Sequence, residues 1–100
     1  MPVDEEDAFF YRSEPDSEDE FFYRSERYFM RLYRDMHLRL VDYFRPYTTD
    51  PIRVLRVKAR RLVRYHRDMA LYYRLMQRFL LEEQRGGNPV HPPMPVEPHM

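Results

Sequence analysis

The fold of this 100-residue chain is decided by residues 51–85, PIRVLRVKARRLVRYHRDMALYYRLMQRFLLEEQR. After its first residue the stretch contains no proline or glycine, so nothing in it interrupts a helix. Asp50 can cap that helix, and Pro51 suits its first turn. Gly86 and Gly87 then provide the stop. The stretch therefore predicts a single helix about 50 Å long.

Arginines line one side of this predicted helix. At about 100° per residue, eight of them fall in a stripe roughly 80° wide. They are Arg53, Arg56, Arg60, Arg64, Arg67, Arg74, Arg78 and Arg85, and we call the first seven the arginine rail. A guanidinium group forms paired hydrogen bonds with phosphate or carboxylate. The rail therefore predicts a surface for an anionic partner.

The opposite side of the same helix is apolar at heptad spacing. This heptad seam consists of Ile52, Leu55, Ala59, Leu62, His66, Met69, Tyr73, Met76 and Leu80. An apolar flank lies between the seam and the rail and consists of Val54, Val57, Tyr65, Tyr72, Leu75 and Phe79. More than half of the circumference requires burial. We expect self-association through Ile52, Leu55, Leu62, Met69, Tyr73, Met76 and Leu80.

A first helix is predicted at about residues 18–45. Ser17 and Glu20 have the spacing of a capping box, and Pro46 stops the helix. Its apolar residues again follow a heptad, Phe22, Phe29, Met36 and Tyr43, with Leu32, Tyr33 and Leu40 between them. Its arginines form a second row, Arg24, Arg27, Arg31, Arg34 and Arg45. The two helices thus share one pattern.

The connector between the helices, residues 45–50, is short, and short connections join antiparallel neighbours. The predicted fold is all-α, a long antiparallel helical hairpin within residues 17–86. Two helices alone leave much apolar surface in water, so we expect the hairpin to self-associate into a helical bundle. Residues 1–16 are expected to form a disordered acidic arm. Residues 87–100 are expected to form a proline-rich tail that is disordered or polyproline, either solvated or with Pro92, Pro93 and Pro95 bound in the groove of a partner.

Charge is segregated along the chain although the total is zero. Residues 1–26 contain ten acidic and two basic residues, a net charge of −8. Residues 27–87 contain fifteen basic and six acidic residues, a net charge of +9. The acidic arm is expected to pair with the rail, either in the same chain or in another copy.

A nine-residue pattern occurs twice near the N-terminus. Residues 6–14 match residues 18–26 with one mismatch. One interpretation is a linear motif bound twice by a partner. The other is a helix start preceded by its own local duplicate, too short to be a solenoid repeat.

Two histidines occupy apolar positions, His66 on the heptad seam and His37 at a comparable place in the first helix. They predict either a hydrogen-bonded core pair or a metal-binding or pH-sensing pair. Neither a phosphate-binding glycine loop nor a nucleophile motif occurs, so we expect no enzymatic activity and no cofactor. The chain has no cysteine, which fits a reducing compartment, cytoplasm or nucleus. Its apolar runs are too short for a membrane span.

Two functional hypotheses follow. In the first, the rail binds nucleic acid, with duplex RNA favoured because a rigid helix can follow its backbone. In the second, the protein is a structural or adaptor subunit that buries its apolar helix faces in a larger assembly, and the rail meets an acidic protein surface.

The tripeptide Leu32-Tyr33-Arg34 resembles the signature of the LYR family. Members of that family are small basic helical proteins that serve as accessory subunits or assembly factors in mitochondria. The resemblance covers these three residues. It implies that they mark the first helix and a protein contact surface, and so it supports the adaptor hypothesis.

Overall fold

A computed structural model describes residues 18–99. Two helices dominate, α1 (Glu18–Phe44) and α2 (Arg53–Gln84), joined by a 3-10 helix, Arg45–Thr49. The described residues contain no strand, so the predicted all-α helical hairpin is confirmed. The predicted acidic arm, the Ser17 cap and the first copy of the duplicated pattern lie outside the described residues.

The charges and prolines of the sequence set the bounds of α1. Its first turn contains three acidic residues, which stabilise the positive end of the helix dipole. The helix ends at Phe44 because Pro46 lacks an N–H group and disfavours a helical conformation at Arg45. The 3-10 turn that follows is tied by Thr48, whose Oγ1 donates to the carbonyl of Arg45 at 2.6 Å.

The second helix begins at Arg53, two residues later than predicted. Asp50 accepts the N–H of Ile52 at 2.8 Å, as a cap would. However, Pro51 disfavours a helical conformation at Asp50, which has ψ of 137°. Ile52 is also extended, with ψ of 115°. The N–H of Arg56 donates to the carbonyl of Ile52 at 3.0 Å.

The end of α2 is built by its two glycines, as predicted. Gly86 has φ of +87°, a conformation that glycine adopts without steric cost. Its N–H donates to the carbonyl of Glu83, and the N–H of Gly87 donates to that of Glu82, both at 3.0 Å. These bonds form the Schellman motif that satisfies the last helical carbonyls. Between its ends α2 runs unbroken for 32 residues, which corresponds to about 48 Å.

The two helices pack antiparallel, with polar and aromatic contacts along their length. At the open end of the hairpin, Tyr23 donates from its Oη to Oε1 of Glu83 at 2.7 Å. Near the middle, the rings of Tyr33 and Tyr73 lie 5.3 Å apart. The interface between the helices therefore contains hydrogen bonds and ring contacts as well as aliphatic packing.

The buried apolar core of the described residues is small. It comprises Val41, Ala59, Met69, Ala70, Met76 and Leu80. All but the first belong to α2, so α2 supplies the core and α1 serves mainly as its cover. We expect a small free energy of unfolding from a core of this size, because small domains bury a smaller fraction of their surface than large domains do.

The orientation of α1 differs from the one its heptad pattern suggests. Six large residues remain 42–64% exposed and form what we call the α1 stripe: Phe22, Phe29, Leu32, Tyr33, Met36 and Tyr43. The arginine row lies partly toward the protein instead. Arg24 is buried, and Arg27, half-buried, donates to the side chain of Gln84. Of the predicted second row of arginines, only Arg45 is fully exposed.

Residues 88–99, which we call the tail, have neither helix nor strand, as their composition predicts. They run back along α2. The ring of His91 lies 5.1 Å from that of Phe79, and Nη1 of Arg61 donates to the carbonyl of His99 at 3.3 Å. The tail therefore covers part of the apolar flank.

We predict that Met69→Ala strongly destabilises the hairpin. Met69 is only 2% exposed, and truncating a buried Met costs about 2 to 5 kcal/mol through lost burial and the cavity left behind. Leu71→Ala is the matched control, because Leu71 is 54% exposed on the same helix and should change stability by less than about 0.5 kcal/mol. Thermal unfolding followed by far-UV circular dichroism measures both. If the two substitutions lowered the melting temperature equally, the assignment of Met69 to the buried core would be wrong.

Candidate functional site

The arginine rail lies on the side of α2 away from α1. Of its seven members, Arg53, Arg60, Arg64, Arg67, Arg74 and Arg78 are exposed, and Arg56 is half-buried. Because α2 is unbroken, no bend disperses them along the helix. The arrangement is thus a line of guanidinium groups on a rigid rod, which presents positive charge along most of one edge of the molecule.

Two members of the rail are engaged with the connector. Nη1 of Arg56 donates to the carbonyl of Asp50 at 3.2 Å, and Nε of Arg60 donates to the carbonyl of Thr48 at 3.0 Å. These bonds satisfy carbonyls between the two helices. Arg56 and Arg60 therefore help to fix the turn, a role that the sequence pattern did not indicate.

Five members of the rail form no ion pair with the described part of the chain. Arg53, Arg64, Arg67, Arg74 and Arg78 form no ion pair with an acidic side chain of residues 18–99. Ion pairs in that part of the chain join Arg34 to Asp35 at 3.1 Å and Arg45 to Asp42 at 3.9 Å. The first pair lies within α1, and the second joins the connector to α1. The five rail arginines thus retain their donors for an external anion.

The structure places the predicted self-association residues in two different environments. Met69, Met76 and Leu80 are buried within the single chain, while Leu62 and Tyr73 are half-buried. The three buried residues are not available to a second copy. Only Ile52 and Leu55, at the connector end, remain exposed. Much of the heptad seam of α2 is therefore occupied by contacts within the single chain.

An apolar groove of about 270 Å³ opens near those two residues at the closed end of the hairpin. It is lined by Tyr43, Phe44, Tyr47, Leu55, Lys58, Ala59 and Leu62. Tyr43 also belongs to the α1 stripe, so the groove and the stripe form one continuous apolar surface. Large exposed apolar surfaces of this kind are typical of protein interaction sites.

His37 and His66 meet between the helices, with their Nδ1 atoms 2.8 Å apart. Tyr73 stacks on His37 at 5.6 Å, and Phe44 stacks on His66 at 6.0 Å. A bond between two imidazole nitrogens requires that one ring donate a proton and the other accept it. The core-pair interpretation is thus confirmed as a hydrogen bond. Within residues 18–99, no three His, Asp or Glu side chains are placed to hold a metal ion.

The environment of the pair favours neutral rings. Burial, and to a lesser degree the charge of His66, lowers the pKa of His37. Burial also lowers the pKa of His66, against the opposing effect of the Glu97 carboxylate in the tail. Protonating both rings would place two donors and two positive charges face to face. The interface between the helices is therefore sensitive to acid.

We predict that the hairpin loses stability as the pH falls below about 6.5, the ordinary histidine pKa. The folded pair has lowered pKa values, so the unfolded chain binds more protons and the free energy of unfolding decreases. Above that pH both states are neutral and the contribution is fully present. The measurement is the melting temperature at a series of pH values between about 7.5 and 5.5.

His66→Gln is the informative variant for this prediction. A glutamine can still hydrogen-bond to His37 but does not titrate, so its melting temperature should depend less on pH than that of the wild type. His99→Gln is the matched control, because His99 is exposed and contacts Arg61 only through its backbone carbonyl. The same pH dependence in both variants would exclude the pair as its source.

Among the described helices, none is long and apolar enough to cross a membrane. Comparison with known protein families, curated proteins and solved structures finds no match to this chain.

The resemblance to the LYR family accordingly stays a three-residue similarity. In the structure, Leu32 and Tyr33 are exposed on α1, and Arg34 pairs with Asp35. These residues lie near the middle of α1. The surface that they help to form is the α1 stripe.

Proposed function

We propose that this protein is a non-enzymatic binding protein that presents the arginine rail to an anionic partner, nucleic acid first among them. The observation that carries the proposal is the row of five exposed rail arginines with no acidic partner within residues 18–99. On an unbroken helix this row is a linear array of positive charge. Each arginine that contacts a phosphate would release a condensed counterion, which drives such association.

Duplex RNA fits the rail better than single-stranded RNA does, because the rail offers donors for the phosphate backbone and not for the edges of bases. From Arg53 to Arg78 the rail follows an unbroken helix for about 38 Å, and its donors are guanidinium groups, which bind phosphate oxygens in pairs. Double-stranded RNA is recognised mainly through its shape and backbone. A chain without cysteine also suits the reducing cytoplasm or nucleus, where RNA is present. Pairing between the rail and the acidic arm would compete with this binding.

We predict that Arg64→Gln combined with Arg67→Gln weakens binding to duplex RNA and flattens its dependence on salt. Each lost phosphate contact should lower the slope of log K against log salt by roughly 0.7 to 0.9. Arg60 is left intact because it holds the connector. The measurement is fluorescence anisotropy of a labelled RNA duplex over a salt series.

The matched control is the double variant Arg39→Gln and Arg45→Gln, on α1 and on the connector respectively. It removes the same amount of charge from exposed positions away from the rail. Its salt slope should remain close to that of the wild type. If both double variants change the slope equally, binding depends on net charge alone and the rail is not the site. An unchanged slope in the rail variant would exclude the nucleic-acid proposal.

A second candidate function, a structural subunit that assembles through apolar surface, is favoured by the α1 stripe. Its members recur at heptad spacing, and the groove at Tyr43 extends it. A heptad stripe is self-complementary, so the same stripe on a second copy can cover it across a two-fold axis. The occupant that we assign to it is therefore a second copy of this chain.

We predict that Met36→Glu disrupts this self-association, because it places a charge in the middle of the stripe. Leu38→Glu is the matched control. Leu38 has almost the same exposure, 45% against 47%, but lies on a different side of α1. Sedimentation at micromolar concentration should give a dimer for the wild type and for Leu38→Glu, and a monomer for Met36→Glu. A monomeric wild type would contradict self-pairing.

A further inference from the structure

The prolines of the tail occur at every third position. They are Pro89, Pro92, Pro95 and Pro98, and Pro93 alone lies outside this register. Pro92 is buried and the other three in-register prolines are half-buried, whereas every other residue of the tail is exposed. One edge of the tail therefore faces the protein, and that edge consists of prolines.

A period of three is the repeat of the polyproline II helix, which has three residues per turn and a rise of about 3.1 Å per residue. In that conformation, residues three apart lie above one another on one side. In that conformation the in-register prolines would form a ridge with a repeat of about 9.3 Å. The ridge explains why burial in the tail recurs at the same interval.

The surface of α2 beside the tail contains its own repeat. Tyr65, Tyr72 and Phe79 are seven residues apart on the apolar flank of α2, and all three are half-buried. We call them the aromatic row. Seven residues of α-helix correspond to about 10.5 Å, close to the proline repeat. Flat aromatic rings separated by this distance leave gaps between them that proline rings can occupy.

Contacts along the tail show that it follows this row in the direction opposite to α2. The ring of His91 lies 5.1 Å from Phe79 and 6.4 Å from Tyr72. Further along, Pro98 lines the same cavity as Tyr65. Gly86, with its positive φ, provides the reversal that lets the chain turn back. The tail thus meets all three members of the aromatic row.

We propose that the aromatic row is a recognition site for polyproline II segments with proline at every third position, and that the tail occupies it as a built-in ligand. Aromatic grooves recognise such segments in other proteins because polyproline II is already extended and loses little entropy on binding. The partner in trans is thus a proline-rich segment of the same register. It gains access only when the tail leaves.

The tail competes with a second proline-rich segment for the aromatic row, and the resulting loss of affinity follows from its effective concentration. A ligand held by a short linker has an effective concentration on the order of 1 mM. If the free segment binds with a Kd of about 100 µM, the attached tail lowers the apparent affinity for a second segment roughly tenfold. Releasing the tail should raise the apparent affinity for the second segment by the same factor, without any change in the aromatic row.

The test uses the full chain and a fluorescent peptide with the sequence of residues 88–100, NPVHPPMPVEPHM. In one variant, Pro92→Ala and Pro95→Ala remove two prolines of the ridge. This variant should bind the peptide roughly tenfold more tightly than the wild type, because its own tail no longer competes. Fluorescence anisotropy gives the affinity, and circular dichroism verifies that the helices are intact.

Pro93→Ala is the matched control, since Pro93 is exposed and outside the register. It should leave the peptide affinity at the wild-type value. Adding Tyr72→Ala to the variant with the released tail should abolish binding. A peptide of the same composition with its prolines moved out of the three-residue register should bind at least tenfold more weakly.

Failure to bind the peptide after the tail is released would overturn the proposal. So would equal affinity in the Pro93→Ala and Pro92→Ala/Pro95→Ala chains, or equal binding of the out-of-register peptide. None of these results depends on RNA, so the polyproline site and the arginine rail stand or fall separately.

Discussion

The structure depends on a single constraint, which is that α2 is apolar over more than half of its circumference and residues 18–99 provide only one other α-helix to cover it. α1 covers the side that contains Met69, Met76 and Leu80. The tail covers the neighbouring side along Tyr72 and Phe79. The arginine rail remains in water. The role of each side of α2 thus depends on whether α1, the tail or solvent lies against it.

The helix bounds were predictable because proline, glycine and charge act locally. Pro46 ends α1 and Gly86 ends α2 through their own backbone restrictions. The orientation of α1 was not predictable in the same way. Periodicity identified an apolar stripe, but the side that packs is chosen by long-range pairs such as Tyr23 with Glu83 and His37 with His66. For the same reason the sequence revealed the rail but not the anchoring of Arg56 and Arg60.

The contacts of the tail could not be predicted from its sequence alone, for a different reason. Its composition predicts the absence of helix and strand, yet the relevant signal lies in the interval between prolines rather than in their number. That interval becomes informative only beside the heptad interval of Tyr65, Tyr72 and Phe79, because neither repeat alone specifies a contact. Both intervals can be read in the sequence. Relating them requires knowing that Gly86 directs the chain back along α2.

The tail also borders the rail, which connects the two proposals. Arg64 of the rail lines the same cavity as Val96 and Pro98, and Arg61 is held by the carbonyl of His99. Departure of the tail therefore frees a further guanidinium group beside the rail and removes the carboxylate of Glu97 from the vicinity of α2. If phosphate binds the released form more tightly, then by reciprocity a proline-rich ligand must strengthen phosphate binding by the same factor. The two sites would then respond to each other through the tail, without any change in the helices.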